Sequence, residues 1–430
     1  MSAAETMYAQ TSRAAMPATV LLPDRPLGAA AHTRLYGRLP IRAPAPNAEL
    51  AGLLARAGLT GRGGAGFPVH KKLAAVADVA RGAGRAPVVV ANGCEGEPAS
   101  WKDRELLRRA PHLVLDGLRL AAHALAADAA YLAVDEAGGL VGPLTDAAAE
   151  HGDDARGVRI RVVGVPGRFT AGESSALISA LEGGSGLPRY RPEPGRARGF
   201  GGAPTLVQNV ETLAQVALIA RYGPEWFRSF GTAGEPGPML STVHTAESRP
   251  RVVQTQAGAP LWSLLGALRR PVRAVLVGGY HGSWIPAETA YRSRYTVAEL
   301  GVPLGAGLIA ALPVERCGLA ETARVLRYLA LQSAGQCGPC LHGLPRIAAA
   351  FTRLADPAGA ARADARGLIA DLDRWCGLVE GRGACHHPDG SVRLVRSALD
   401  TFADEVHEHR RGVCHGTDAR PLLPTPPRTS

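Results

Sequence analysis

Residues 61–72 read Gly61-Arg62-Gly63-Gly64-Ala65-Gly66-Phe67-Pro68 and then, past Val69-His70, Lys71-Lys72. Four glycines in six residues remove the side chains that would hold a ligand away, permit positive φ, and let consecutive N–H groups face an anion. The chemistry described is the grip of a backbone on a phosphate. A glycine-rich run on its own describes a surface turn equally well, so its neighbours matter. The apolar run Pro87-Val88-Val89-Val90-Ala91 predicts a buried strand. It empties into Asn92-Gly93-Cys94-Glu95-Gly96-Glu97-Pro98 and then Trp101-Lys102-Asp103-Arg104-Glu105. Ligands of open α/β sheets lie beyond the carboxyl ends of the strands, and this turn offers an amide, a thiol and two carboxylates there. A helix from Arg104 capped by Asp103 accounts for Asp103 and leaves Glu95 and Glu97 without a structural task.

The basic residues point to the same segments. Among 48 lysines and arginines only Lys71, Lys72 and Lys102 are lysine, and all three fall in these stretches, where a compact ammonium suits better than a planar fork. A second group of chemically capable residues lies far along the chain. Cys337 and Cys340 form a Cys-x2-Cys directly after a helical pattern from Glu321 to Leu331, and Cys385 follows in Gly381-Arg382-Gly383-Ala384-Cys385-His386-His387-Pro388. Three thiolates on loops between helices suit a metal or cluster site. Cys94, Cys317, Cys376 and Cys414 read as buried small hydrophobes or, for Cys414, a tail thiol. His387, His407, His409 and His415 read as solvated surface positions, with His386 the better ligand candidate.

The elements that must position these residues follow from periodicity. The 430 residues, 46% of them hydrophobic, suffice for one large core and smaller satellites. Residues 1–48 form an Ala/Pro-rich extension expected to wrap the surface. From 49 to 232, strand patterns such as Ala130–Val134 and Val158–Val163 alternate with Ala/Leu-rich helices including Pro111–Ala126, which predicts a parallel sheet covered by helices. From 238 to 312, short strands (Met239–Val243, Val252–Thr255, Ala274–Val277) around a helix Leu261–Leu268 give an α+β pattern of β-grasp type. From 313 to 412 the helical period dominates, and 413–430 reads as a disordered tail. No apolar run is long enough to span a membrane, and Met1–Arg25 has no secretory pattern. The expectation is therefore a cytoplasmic protein without direct membrane insertion, peripheral at most on the cytoplasmic side of a membrane complex. The net charge of +10 is spread among Ala and Gly, and only 5% of residues are aromatic, so no nucleic acid partner is expected.

Taken in order, these segments resemble the NADH-binding flavoprotein subunit of respiratory complex I, the NADH-quinone oxidoreductase, and its relatives in soluble hydrogenases and formate dehydrogenases. The resemblance covers roughly residues 50–410. Besides the glycine run with Lys72 and the acidic turn with Lys102–Glu105, it rests on Ala171-Gly172-Glu173-Ser174-Ser175-Ala176-Leu177, Leu181-Glu182-Gly183, Pro204–Leu213 and Cys337-Gly338-Pro339-Cys340. It implies a Rossmann-like parallel-sheet FMN domain, a ubiquitin-like, soluble-ligand-binding β-grasp domain, and a helical bundle carrying a 4Fe–4S cluster. It implies FMN held by Gly61, Arg62, Gly63, Gly64 and Lys72, and by Asn92, Cys94, Glu95, Gly172, Glu173, Gln208 and Asn209. Glu95 and Glu97 become the catalytic carboxylates, facing flavin and nicotinamide. The activity implied is oxidoreduction: electrons pass from NADH through FMN to the cluster, and then to a thioredoxin-like iron–sulfur protein or another redox partner in a multisubunit complex.

The departures from the family pattern are specific. Cys94 stands where an Asp is usual, Ser174 where a second Glu follows Gly-Glu, and Gln208-Asn209 where two Asn stand. Phe169 replaces a tyrosine, and Arg191-Pro192-Glu193-Pro194-Gly195 occupies the region that usually supplies an aromatic to the adenine. Losing that ring would cost about 1–3 kcal/mol by analogy with base stacking. Ala334 replaces the first cluster cysteine, so Cys337, Cys340 and Cys385 are the remaining metal ligands. A 4Fe–4S cluster completed by His386, Cys376, water or an external ligand, a 3Fe–4S cluster, a zinc ion with His386, and an empty site all stay open. Two functional alternatives also stand: an FMN and iron–sulfur electron-transfer protein with another donor, and a non-catalytic descendant binding a ligand or partner through the β-grasp domain.

Overall fold

The computed structural model describes residues 21–40, 47–151, 158–189, 197–362 and 365–426. The segment Arg191–Gly195 lies outside them. The run starting at Val88 forms β1 (Val88–Gly93), which pairs in parallel with β2 (Ala129–Asp135) on one side and β4 (Thr205–Asn209) on the other; β3 (Ile160–Val165) extends the sheet to the order β3-β2-β1-β4. Because helices cover both faces, β1 is apolar on both sides and buried almost throughout. The covering helices include α1 (Ala29–Tyr36), α2 (Val69–Ala83), α3 (Lys102–Arg109), α4 (Pro111–Leu125), α5 (Ser174–Leu181) and α6 (Val210–Arg228). α4 opens on a proline at its first turn, where the missing N–H is no loss. Gly117 lets α4 and α6 touch, since a Cβ there would strike the Leu213 carbonyl.

The described part of the N-terminal extension does more than wrap the surface. Leu21, Leu22 and Tyr36 enter the main core, and His32 Nε2 meets Asp116 at 2.8 Å beside the buried Asp116–Arg221 ion pair. The physical reason is that a few apolar residues and one buried hydrogen bond anchor a segment whatever its average composition.

A second sheet, β5 (Pro238–Thr245), β6 (Ser248–Gln256), β7 (Val272–Val277), β8 (Ser283–Pro286) and β9 (Leu308–Pro313), runs in the order β6-β5-β9-β7-β8. β5 and β9 are parallel and the other pairs antiparallel. One face packs on Leu261, Leu265, Ala290 and Tyr295, the other on the helical part. That part comprises α7 (Gly318–Leu331), α8 (Leu344–Ala355), α9 (Ala365–Val379), α10 (His387–Thr401) and α11 (Ala403–Arg410), closed around Leu319, Ile347, Phe351, Leu372 and Phe402.

The expectation of a disordered tail over 413–430 fails for residues 413–426. Leu422 and Leu423 are buried, and their N–H groups both donate to Glu321 Oε1. Arg324 donates to the Leu423 carbonyl, and the Tyr280 hydroxyl to that of Pro424. Two adjacent leucines in a proline-rich stretch supply an apolar anchor that composition alone hides.

Candidate functional site

The four parallel strands end on one edge of the first sheet. There β1 and β4 lie side by side although the chain leaves β1 for β2 and β3 and returns to β4 from the opposite side. Such a switch point opens a crevice where a ligand can sit. Asn92 and Asn209 are register partners at its mouth.

The 61–67 loop crosses this edge. Gly61 N–H donates to the Phe67 carbonyl at 2.9 Å and closes it. Arg62 pins it from below, its N–H on Thr212 Oγ1 (2.9 Å) and its guanidinium on Gln215 Oε1 (3.1 Å) and the Pro236 carbonyl (2.9 Å). Arg62 thus anchors the loop. Gly64 has φ of 102°, a conformation only glycine takes readily. Among the described residues, the N–H groups of Gly63, Gly64, Ala65 and Gly66 make no hydrogen bond within the chain. Lys72 Nζ donates to the Val207 carbonyl at 2.6 Å, and burial lowers its pKa. A desolvated ammonium facing a neutral acceptor gains from an anion placed beside it. Gln208 is buried at the same edge, and its Nε2 has no partner. Free N–H groups, a cation and an unmet amide donor together fit an anionic, hydrogen-bonding ligand such as a flavin phosphate and ring. Lys71 is exposed.

Asn92 closes the turn after β1, donating from Nδ2 to the Gly172 carbonyl (2.8 Å) and accepting from Cys94 N–H (3.1 Å). The Cys94 thiol is buried, and burial with Asp135 and Asp103 nearby drives its pKa far up, so it stays protonated. Glu173 caps α5, accepting from Ser175 N–H (2.9 Å), Ala176 N–H (3.0 Å) and the Ser175 hydroxyl.

The two acidic-turn carboxylates have separate surroundings. Glu95 accepts from Ser100 Oγ (2.6 Å), Asp103 N–H (3.1 Å) and Arg104 N–H (3.1 Å). It therefore caps α3, the task expected of Asp103. Burial and then Asp103 raise its pKa to about 7, with Lys102 and these hydrogen bonds opposing. Asp103 instead accepts from Asn209 Nδ2 (2.6 Å) and pairs with Lys102 (2.7 Å), whose ammonium also meets Glu211 (2.8 Å). Burial opposes the charge on Lys102, but the carboxylates of Asp103, Glu211 and Glu95 outweigh it and raise the pKa. Glu211 accepts Leu240 N–H at 3.0 Å, so this cluster fastens the second sheet under the first. Asn209 caps α6 through Glu211 N–H at 2.9 Å.

Glu97 points at the second sheet and accepts Tyr280 N–H at 3.0 Å. Burial raises its pKa to about 8, with Glu95 adding and the Tyr280 bond opposing. Gly279, at φ of 88°, gives it room, since a Cβ there would strike the carboxylate. The loop Gly278-Gly279-Tyr280-His281-Gly282 was not singled out from sequence, although its three glycines around Tyr-His carried the signal. Phe169 joins it, stacked on Tyr280 (14° between planes, centroids 6.1 Å apart) and edge-on to His281 and Tyr328, with His387 beside it. His387, expected at the surface, is buried; its Nε2–H donates to the Leu329 carbonyl (2.9 Å), which leaves its Nδ1 to accept from His281 Nε2 (3.1 Å).

Cys337, Cys340 and Cys385 come together where the loop before α8 meets the start of α10. Burial raises the Cys340 pKa, Cys337 adds, and backbone N–H groups of Gly335 and Ala334 oppose. Cys385 is raised to about 11 by burial, with Cys340, Glu173 and Cys337 adding and the His387 N–H opposing. The three sulfurs do not all lie within 4.8 Å of one another. Three thiols brought together in this way suit a metal or an iron–sulfur cluster. His386 is turned to solvent, 98% exposed, and Cys376 has Arg396, Asp373 and Glu380 for neighbours.

Two family models match the chain: the Nuo51 FMN-binding domain over residues 54–218 and the NADH-ubiquinone oxidoreductase-F iron-sulfur binding region over 320–409. An NADH-quinone oxidoreductase F subunit of Rhizobium meliloti, the second of that name, is 30% identical over 380 residues, covering 84% of this chain and 88% of the relative. The chain belongs to the NADH-quinone oxidoreductase F family. The corresponding F protein of Mycobacterium bovis is 29% identical, covering 85% of this chain and 86% of that one. Among solved structures, an NAD+-reducing [NiFe]-hydrogenase in the H2-reduced state superposes with a TM-score of 0.78 and 30% identity over 89% of this chain, which spans 65% of the hydrogenase chain. As an oxidoreductase flavoprotein of the F family, the chain carries the family's FMN-binding domain and iron–sulfur-binding region. Among the described residues no helix is long and apolar enough to cross a membrane.

Proposed function

We propose that this chain accepts electrons from NADH at the β1/β4 edge and delivers them through the three-cysteine site to a redox partner within a multisubunit complex. FMN supplies the chemistry that a side chain lacks, taking two electrons as hydride and releasing them singly. The residues proposed to hold it are the free N–H groups of residues 63–66, Lys72 and the Gln208 amide, with Asn92, Gly172, Glu173 and Asn209 shaping the walls. Cys337, Cys340 and Cys385 would hold the cluster. Glu97, its pKa near neutrality, can hold a proton beside the pocket and release it to a change in local charge, while Glu95 keeps α3 in place.

The observation that carries this reading is the closeness of the two sites. Glu173, which caps the helix beside the flavin cradle, lies near enough to Cys385 to raise its pKa. The loop before α5 links the two sites: its Phe169 N–H donates to Gln332 Oε1 (3.4 Å) just before the cysteine loop, and its Gly172 carbonyl accepts from Asn92 Nδ2 (2.8 Å) at the β1 edge. Single-electron transfer needs neighbouring sites. The test is an optical spectrum of anaerobically purified protein before and after NADH. Flavin bands with an iron–sulfur shoulder, bleached by NADH, are expected. Bleaching by dithionite alone would assign a different donor. A featureless spectrum that persists after FMN and iron–sulfide reconstitution would end the electron-transfer reading.

A further inference from the structure

Among the described residues, the donor atoms of Cys317, His409 and Cys414 all lie within 4.8 Å of one another; Cys317 precedes α7, whereas the proposed cluster cysteines Cys337 and Cys340 follow it. We propose that these three residues bind a zinc ion that staples the C-terminal segment to the helical bundle. Cys317 Sγ and His409 Nε2 are 3.6 Å apart. With Zn–S near 2.3 Å and Zn–N near 2.0–2.1 Å, the tetrahedral S···N edge is about 3.6 Å.

Three further observations point to a ligand here. His409 is fully buried, and its Nδ1 lies 3.1 Å from the Leu354 carbonyl. An N–H donated to that carbonyl leaves the Nε2 lone pair facing the sulfurs, the outer hydrogen bond that orients a metal-binding imidazole. Each sulfur also has a backbone N–H directed at it, from Ala320 to Cys317 (3.3 Å) and from Gly416 to Cys414 (3.4 Å). Cys317 sits at the N-terminus of α7. Both features favour thiolates, against burial and the Glu405 carboxylate, which accepts from the Cys317 thiol at 3.2 Å and holds it protonated until a metal displaces the proton. Finally, the segment carrying Cys414 is pressed in place: Thr417 and Asp418 N–H both donate to the Glu315 carbonyl at 2.8 and 2.9 Å, and a Cβ on Gly416 would crowd Cys317 at 3.0 Å.

Mixed thiolate and imidazole donors select zinc among the common divalent ions. Binding displaces one proton from each thiol and leaves His409 neutral, so Zn2+ with two thiolates makes an uncharged site. Glu405 stays as the cap of α7, where its Oε2 already accepts Gly318 and Leu319 N–H, and water takes the fourth position at the exposed Cys414 edge.

The experiment measures zinc per chain by elemental mass spectrometry in the full-length protein and in Cys414→Ser, His409→Gln and Cys337→Ser, with cobalt substitution as a second readout. Cys414 is exposed, so its replacement spares the core even if His409→Gln folds poorly. Near-stoichiometric zinc in the wild type and Cys337→Ser, lost in Cys414→Ser, is expected, with thiolate–cobalt bands weakened in the same variant. Zinc unchanged in Cys414→Ser would overturn the assignment. So would zinc lost only in Cys337→Ser, no uptake from added Zn2+, or a mass two hydrogens lighter from a Cys317–Cys414 disulfide.

Discussion

Glu97 and Lys72 are two side chains at the candidate flavin edge whose charge burial disfavours. For Glu97 the linkage has a definite sign. Its folded-state pKa of about 8 lies above the ~4.3 of an unfolded glutamate, so between these values the folded protein holds the extra proton and stability falls as pH rises. Glu97→Gln should flatten that fall, and urea midpoints compared from pH 5 to pH 9 would show the variant gaining on the wild type as pH rises. A parallel pair of curves would mean that Glu97 ionises normally. The same variant should lower NADH-driven turnover by roughly tenfold or more, the scale of a lost proton-handling group, while FMN stays bound. Equal loss of flavin would make Glu97 a wall of the pocket. Lys72→Ala should weaken FMN retention by roughly tenfold or more, as expected for a charge-assisted contact of about 1.5–3 kcal/mol. Flavin titration by fluorescence quenching measures it, and unchanged affinity would remove Lys72 from the site. Lys102 marks the limit of reading lysines from sequence: its rarity signalled a special environment correctly, but the environment is a buried ion cluster under the site.

Strands and helices were legible wherever a period ran unbroken. Pro111–Leu125 and Gly318–Leu331 lie within a few residues of the sequence patterns, and β1 and β2 each extend beyond their apolar runs. β4 was seen only as a motif, because Thr205–Asn209 ends in two amides and looks polar, yet all but its last residue are buried. Its pairing with β1 creates the edge where the site lies, and a pairing has no local signature. For the same reason Asp103 was credited with the cap of α3, when Glu95 supplies it from eight residues away through a turn. The cysteine loop was legible by spacing, and its missing ligand was too. Ala334 supplies a backbone N–H to Cys340 but no thiolate. Ala334→Cys should therefore complete a four-cysteine set and slow oxygen-driven loss of iron, while Cys337→Ser should abolish the iron–sulfur absorption. Iron and sulfide content with low-temperature EPR would report both, and iron unaffected by Cys337→Ser would place the cluster elsewhere.

At the scale of the molecule, the two sheets and the helices meet at Phe169, Tyr280 and His387, and the C-terminal segment closes that junction from outside. Tyr280 links the two: its N–H holds Glu97 and its hydroxyl donates to Pro424. Leu423 is fully buried in the helical core, and Glu321 and Arg324 pair with its N–H and carbonyl. The segment therefore belongs to the folded unit. Leu423→Ala should destabilise the protein by about 2–5 kcal/mol, the range for emptying a buried leucine site. Truncation after residue 418 should cost at least as much, because it also removes both N–H donors to Glu321, leaving that carboxylate with Arg324 alone, and takes the acceptor from the Tyr280 hydroxyl. If packing of this segment helps hold Tyr280 against Glu97, the truncated chain should also lose part of its NADH-driven activity at temperatures where it is still folded. Unfolding midpoints followed by circular dichroism and by flavin fluorescence would separate the two effects. An unchanged midpoint after truncation would show that the segment rests on the bundle without stabilising it.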